Sequence, residues 1–255
     1  MSITEEIVEG KGYVLIPEVL SATQVETARS LVLELAEKEK RSQTLWMEGK
    51  RERVFGLVYK GEIFELMVQH PTVLNVLEEI LGEDAILSTF SAHILNPGAE
   101  RQGIHVEYPY ISMKPPYPAY PVMEMQVIWL VQDFTEDNGS PLFAPYSQKL
   151  CSPPDPLHFS EVAKKVTGKA GSVVISHGLC WHDSSVNYSQ QQRVAIVGQY
   201  VPKFIRPKDE RLHKVQPEVL DGASPKLKQL LGCDFKSAVS KDMGQLIGRP
   251  VRSVG

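Results

Sequence analysis

Between residues 85 and 202 the chain divides into short runs of β-branched, aromatic and aliphatic residues, each closed by a glycine or proline turn. "AILSTFSAHIL" (Ala85–Leu95) stops at "NPG", and "MQVIWLVQDF" runs into "TEDNGSP". "PLFAPYS", "GKAGSVVISHG" and "QRVAIVGQYV" follow in the same manner. Runs of this length and composition, bounded by turn residues, read as strands. A succession of short strands with frequent turns predicts a barrel or a jelly roll. The expected fold is therefore mainly β, with flanking α-helices.

The flanks carry helical patterns. "GYVLIPEVL" reads as a short strand and a turn, after which Ser21 and Gln24 form a capping-box pair. Val25, Ala28, Leu31, Val32 and Leu35 then recur at helical spacing, and the polar "AEKEKRSQ" is expected to leave the helix for solvent or a loop. A second helix is predicted over Thr72–Leu81, with Pro71 at its start and Gly82 just past its end. "SPKLKQLLG" predicts a short C-terminal helix. One domain over 1–255 is expected, with its β-core at approximately 85–202 and helical flanks on both sides. A chain of 255 residues that is 42% hydrophobic can bury a self-supporting core.

The formal net charge of −4 does not suggest wholesale binding of nucleic acid or an anionic membrane. The acidic "MSITEEIVEG" has no apolar segment of a secretory signal, and no run approaches the ~20 apolar residues of a membrane span. Cys151, Cys180 and Cys233 are odd in number and scattered, which fits a reducing cytoplasm better than a disulfide framework.

Chemistry concentrates in two stretches. In "GIHVEYPY", His105 and Glu107 are two residues apart, and on an extended strand both would point to one side with Val106 on the other. Alone, that pattern is what the polar face of any amphipathic strand carries. Two histidines and one carboxylate on one face are also the ligand set of non-haem iron(II) oxygenases, which leave the remaining positions open. "SHGLCWHDS" offers two candidates for a distant third ligand, His177 and His182. Arg193 opens the next strand and could hold the distal carboxylate of a keto-diacid with paired hydrogen bonds, and Ser184 could add a hydroxyl.

Taken together, "HVE", "HGLCWHDSSVN" and Arg193, with "VIWLVQDFTEDNGSPLFAPYSQK" between them, resemble the phytanoyl-CoA dioxygenase-like family of iron(II)/2-oxoglutarate-dependent oxygenases. "GYVLIPEVLSATQV" is similar to the family's opening strand and helix, so the resemblance spans roughly residues 10 to 235. It implies a double-stranded β-helix (jelly-roll, cupin-like) core that binds iron(II) and 2-oxoglutarate and consumes dioxygen. The family's third ligand precedes a small-residue run leading to asparagine, as in "HDSSVN", which selects His182 and leaves His177 a core or supporting histidine. The resemblance therefore implies that His105, Glu107 and His182 bind the metal and that Arg193 and Ser184 hold 2-oxoglutarate. Gln126 is in a position from which a polar residue of this family can also reach the keto-acid. This chain departs from the family in having His-x-Glu for His-x-Asp and "PYSQ" for "PGSH". Glutamate remains an anionic oxygen ligand, and it argues against a halogenase, which needs a small residue there.

The expected activity is hydroxylation of an unactivated C–H bond of a small organic molecule, with secondary metabolism as the setting. Desaturation, epoxidation and cyclisation use the same cofactors. The rivals are a non-catalytic binding protein and a cupin-type metalloenzyme that needs no keto-acid. "YPYISMKPPYPAYP", rich in proline and tyrosine, is read as a lid or substrate wall, with Tyr108 and Tyr110 nearest the metal, or as a rigid surface loop packing on its own rings. "WMEGKRERVFGLVYKGEIF" could line the substrate entrance or form a solvated face, and its few basic residues do not define a phosphate or coenzyme A site.

Overall fold

The computed structural model describes residues 1–209, 212 and 221–233. Its described strands form two antiparallel sheets. In chain order they are β1 (Tyr13–Ile16), β2 (Trp46–Glu48), β3 (Arg51–Phe55), β4 (Ile86–Leu95), β5 (Met125–Leu130), β6 (Pro141–Phe143), β7 (Lys164–Lys165), β8 (Val173–His177), β9 (His182–Ser184) and β10 (Arg193–Val201). The larger sheet has seven strands in the order β1-β8-β5-β10-β4-β3-β2, and the smaller has three in the order β7-β6-β9. The chain crosses between sheets repeatedly, which is the jelly-roll pattern expected from the strand-and-turn punctuation.

The two faces of the larger sheet follow from the period of two along each strand. Phe90, Ala92 and Ile94 of β4, Val127 and Trp129 of β5, and Val194 and Ile196 of β10 belong to the main apolar core. Helices cover this face. They are α1 (Ile3–Val8), α2 (Ala22–Arg41), α3 (Glu62–Val68), α4 (Pro71–Leu81) and, near the C-terminus, α6 (Pro225–Leu230); α5 (Pro156–Val162) lies elsewhere. Ala28 and Val32 of α2, Phe64 and Met67 of α3 and Val73 and Leu77 of α4 complete the core. The other face looks toward the smaller sheet. There Ile128, Leu130, Val174, Ala195 and Val197 pack against Phe143 in a second, smaller apolar cluster. Beside that cluster the same face becomes polar and borders a cavity.

The helix ends obey local rules. Ser21 and Gln24 form the reciprocal capping box, Pro71 occupies the first turn of α4, and Ser224 caps α6. Four expectations need correction. The polar "AEKEKR" does not leave the helix: α2 continues to Arg41. Its alanine, glutamates and lysines are strong helix formers, Ala36 is buried, and Lys38, Lys40 and Arg41 favour the negative end of the helix dipole. Short helices α1, α3 and α5 also form, although six or seven residues give too little periodicity to read. The β-core is not confined to 85–202, because β1, β2 and β3 from the N-terminal flank complete the larger sheet. Finally, His105–Glu107 is extended but is not a regular strand. His105 alone pairs, in an isolated bridge with His182, while Glu107 donates its backbone N–H to the Gly178 carbonyl. Among the described residues no helix is long and apolar enough to cross a membrane.

Candidate metal centre

The bridge between His105 and His182 brings two distant segments face to face. Each backbone N–H donates to the other residue's carbonyl, at 3.0 and 3.1 Å. Val106 is buried with Tyr110 and Trp181, so its neighbours on either side turn the opposite way, into the cavity. Asp183 sits behind the bridge and fixes its register. Its Oδ1 accepts from the backbone N–H groups of Gln102, Gly103 and Ser184, and its Oδ2 pairs with Arg101 at 2.7 Å. Nothing in the sequence distinguished this buried aspartate from the residues around it.

His105, Glu107 and His182 offer ligand atoms that all lie within 4.8 Å of one another. The imidazole centroids are 4.2 Å apart. Both Nδ1 atoms lie against backbone carbonyls, His105 on Gly103 at 2.8 Å and His182 on Cys180 at 2.9 Å. A carbonyl only accepts, so both Nδ1 atoms carry a proton, which leaves the Nε2 atoms to face the cavity. These point at Glu107 Oε1, 3.9 Å from His105 Nε2 and 3.2 Å from His182 Nε2. Three atoms of metal-ligand type thus converge on one point, an arrangement that a cation satisfies. Imidazole and carboxylate suit a borderline-hard divalent metal.

The charge states agree. Burial, then the neighbouring His182, pulls the His105 imidazole down to about 4, so it is neutral at physiological pH. Burial pushes the Glu107 carboxyl up, but the hydrogen bond and charge of His182, with His105 and Lys208, outweigh it and hold it below the ordinary carboxylate range. Gln126 Nε2 donates to Glu107 Oε1 at 2.5 Å, fixing that oxygen.

The cavity around these atoms has a volume of about 410 Å³. Arg193 projects into it from the first residue of β10 and is buried. One Nη donates to the Gly139 carbonyl at 2.6 Å, and the guanidinium lies 4.8 Å from the Phe134 ring centroid. The "TEDNGSP" turn supplies that carbonyl: Asn138 ties the turn to Thr135 and Asp133, and Gly139 takes φ +82°, where an added Cβ would come within 2.8 Å of Leu95. Burial lowers the Arg193 pKa to about 9, and among the described residues no carboxylate pairs with it. Its Nε, the Ser184 hydroxyl and Gln126 Oε1 are all buried without a protein partner. Buried polar atoms are rarely left so. Arg193 Nε and the Ser184 hydroxyl are donors suited to carboxylate oxygens, whereas Gln126 Oε1 only accepts and suits a water or another donor.

The remaining predicted residues divide. Tyr108 lines the cavity. Tyr110 does not: its side chain is fully buried, its hydroxyl accepts the Met123 backbone N–H at 2.8 Å, and its ring stacks on His177. The short 3₁₀ turn over Tyr110–Ser112 rotates it away from the cavity, so its place as substrate wall is corrected to a core residue. His177 is also apart from the three converging ligands. Its Nδ1 accepts the Leu179 N–H at 2.9 Å, and burial lowers its pKa to about 4. Sequence reasoning passed over Ser91, His93 and Lys208, which also line the cavity, and held Arg53 only as part of a stretch that could line the substrate entrance or form a solvated face. The signal for two of them was present in "TFSAHIL", where polar residues alternate with core residues in a strand buried on both faces.

Known proteins place this architecture. The family model for phytanoyl-CoA dioxygenase matches residues 8–195, a span that contains every residue of the converging set and Arg193. "Dioxygenase af480" of Aspergillus fumigatus is 31% identical over 238 residues, covering 90% of this chain and 76% of that protein. Among solved structures, the epimerase SnoN in complex with Fe3+, alpha ketoglutarate and nogalamycin RO superposes with a TM-score of 0.64 at 17% identity, covering 87% of this chain and 92% of the other. HygX from Streptomyces hygroscopicus, with nickel and 2-oxoglutarate bound, gives a TM-score of 0.64 at 14% identity, covering 81% and 89%. The chain belongs to the phytanoyl-CoA dioxygenase family of iron- and 2-oxoglutarate-dependent enzymes.

Proposed function

We propose that this chain, as one domain over residues 1–255, hydroxylates an unactivated C–H bond of a small organic molecule, an intermediate of secondary metabolism. 2-Oxoglutarate and dioxygen go to succinate and carbon dioxide in the same turnover. The observation that carries this reading is the convergence of His105 Nε2, Glu107 Oε1 and His182 Nε2 in a cavity that also holds a buried arginine with no carboxylate partner among the described residues. His105, Glu107 and His182 hold iron(II). Iron so held supplies activation of dioxygen, coupled to oxidative decarboxylation of the keto-acid.

The chain's own residues do the positioning. The Gly103 and Cys180 carbonyls keep both Nδ1–H groups occupied, so the Nε2 lone pairs stay aimed at the metal. Gln126 Nε2 orients Glu107, the Ser184 hydroxyl remains to donate to the keto-acid, and Gln126 Oε1, which only accepts, reaches the keto-acid through a water. Arg193 pairs with the distal carboxylate of 2-oxoglutarate, with Phe134 and Gly139 holding the guanidinium plane. Ile128, Val197 and Phe134 wall the site and keep water out. A cavity of about 410 Å³ is of the size that takes small molecules. The free Cys151, Cys180 and Cys233 fit a reducing cytoplasm.

The test measures succinate formation and bound iron in the purified enzyme, with and without Glu107→Ala. The parent should bind iron and form succinate; Glu107→Ala should lose most of both, and Glu107→Asp should keep part. Product masses and NMR spectra then identify the outcome: one added oxygen as a new C–OH supports hydroxylation, one added as an oxirane indicates epoxidation, and a loss of two hydrogens indicates desaturation or cyclisation. Full iron binding and turnover in Glu107→Ala would remove the ligand assignment. No succinate across a broad substrate panel would favour a non-catalytic binding protein.

A further inference from the structure

The cavity holds more positive charge than the iron and keto-acid reading uses. Arg53 stands on β3 directly opposite His93 of β4. Its guanidinium lies 4.8 Å from the Trp46 ring centroid, and one Nη donates to Gln102 Oε1 at 3.3 Å. Among the described residues no carboxylate lies within ion-pair distance of it. Lys208 reaches the same cavity from beyond β10. The cross-strand register slips at Gln199/Tyr200, which leaves Ser88 as an extra residue on β4. Its hydroxyl accepts the Lys208 backbone N–H, and its carbonyl accepts that of Asp209. The bulge thus docks the segment that carries Lys208. Lys208 Nζ is 4.0 Å from Glu107 Oε2 and its side chain is about half exposed, at the mouth of the site.

Among the described residues neither cation has a carboxylate it can keep. Glu107 is claimed by the metal. Asp183, the other carboxylate on the wall, is committed to Arg101 and three backbone N–H groups. A divalent iron, Glu107, dianionic 2-oxoglutarate and Arg193 neutralise one another, so Arg53 and Lys208 remain as surplus positive charge. His93 does not add to it: burial, then Arg53 and Arg193, keeps it neutral, with Nε2 3.2 Å from Ser91 Oγ. It is therefore a hydrogen-bonding group beside the two cations. Phe55, Ile111 and Ile128 line the same space with apolar surface.

We infer that the substrate carries an oxyanion, a carboxylate or phosphate, held by Arg53 and Lys208, with an apolar body along Phe55, Ile111 and Ile128. The inference rests on the function proposed above, since it counts Glu107 and Arg193 as taken by the metal and the keto-acid. It makes Arg53 and Lys208 specificity-determining residues. Arg53, set in place by Trp46 and Gln102, supplies a planar fork for oxygen atoms, and Lys208 supplies a point charge.

The test is calorimetric titration of the iron- and 2-oxoglutarate-loaded enzyme without oxygen, using decanoate, decyl phosphate and decan-1-ol as probes. At least one anion should bind about tenfold or more tightly than the alcohol, as expected for charge-assisted hydrogen bonds in a partly buried site. The stronger of the two anions identifies the head group. In Arg53→Gln and Lys208→Gln that preference should shrink several-fold, while the affinity for the alcohol stays the same. Equal binding of alcohol and anions would overturn the inference, as would a preference unchanged in both variants or no anion binding at millimolar concentration. A loss of 2-oxoglutarate affinity in these variants would also overturn it, by giving the pair to the keto-acid. Failure of the underlying function shows separately, as an unaltered enzyme that does not bind 2-oxoglutarate at all.

Discussion

Replacing Arg193 with methionine should make the ligand-free protein more stable while abolishing its response to 2-oxoglutarate. Arg193 is buried, and among the described residues it has no carboxylate partner. Burial alone brings its pKa down to about 9. Each tenfold change in proton affinity is worth about 1.4 kcal/mol, so holding this charge in the folded chain costs on the order of 4–5 kcal/mol. The sign is set by protonation. Arginine is charged near pH 7 in both the folded and the unfolded chain, so the cost is present in full there and fades only as the pH rises above about 9. The hydrogen bond to Gly139 and the stacking on Phe134 return part of it. Apolar replacement of buried charges in other proteins gains roughly 1–4 kcal/mol, so a gain of about 2 kcal/mol is expected here. In a domain of this size that raises the melting temperature by about 4–8 °C. The assay is thermal unfolding of parent and Arg193→Met, each with and without saturating 2-oxoglutarate and iron. The parent should gain roughly 2–3 kcal/mol at about a hundredfold excess of ligand over Kd, and the variant should gain only the part due to iron. A variant less stable than the parent by more than about 1 kcal/mol, or one that keeps the parent's response to 2-oxoglutarate, would refute the reasoning.

Two further perturbations probe the surroundings. His177 has its pKa lowered from 6.5 to about 4 by burial, so the unfolded chain takes up its proton first as the pH falls. Stability should therefore drop between about pH 6.5 and 4, by up to about 3 kcal/mol from this residue, and denaturant midpoints of His177→Gln across that range should show a correspondingly flatter slope. An equal slope in parent and variant would exclude the buried imidazole as its cause. Gly178→Ala should destabilise by about 1–3 kcal/mol, because the added Cβ would lie 2.3 Å from Glu124 Oε2 in a closed part of the core. Equilibrium unfolding in urea measures this, and a neutral result would mean that Glu124 moves aside freely.

The site was legible in the sequence where local spacing carried it. His105 and Glu107 face one cavity because residues two apart on an extended chain must, and Val106 between them is buried as that alternation requires. Spacing left His177 and His182 both open, and only the resemblance of "HDSSVN" to the family's pattern selected His182; Asn187 at its end ties the chain to the Leu95 and Gln191 carbonyls. What was not legible depends on contacts between distant segments. Lys208 reaches the cavity only because a bulge at Ser88, 120 residues earlier, presents an acceptor for its backbone N–H. Asp183 looked like any aspartate until the loop at 101–103 closed over it. Arg53 lay in a run of basic residues, and only the pairing of β3 with β4 separates it from Arg51, which is spent on Glu48 and the Glu100 carbonyl. Tyr110 shows the reverse error. It is close to Glu107 in sequence, but a single 3₁₀ turn sends its ring into the core.

The two-sided larger sheet has a consequence for how such an enzyme changes over evolutionary time. Residues that meet the helices and residues that meet the cavity alternate along the same strands: Phe90 and Ala92 on one side, Thr89, Ser91 and His93 on the other. Folding stability and ligand choice are thus written on interleaved positions that scarcely overlap. A single substitution at Thr89, Ser91 or Gln199 can reshape what the cavity accepts while the helix-facing core stays as it is. Such a scaffold can drift toward new substrates one residue at a time without passing through unfolded intermediates in its history.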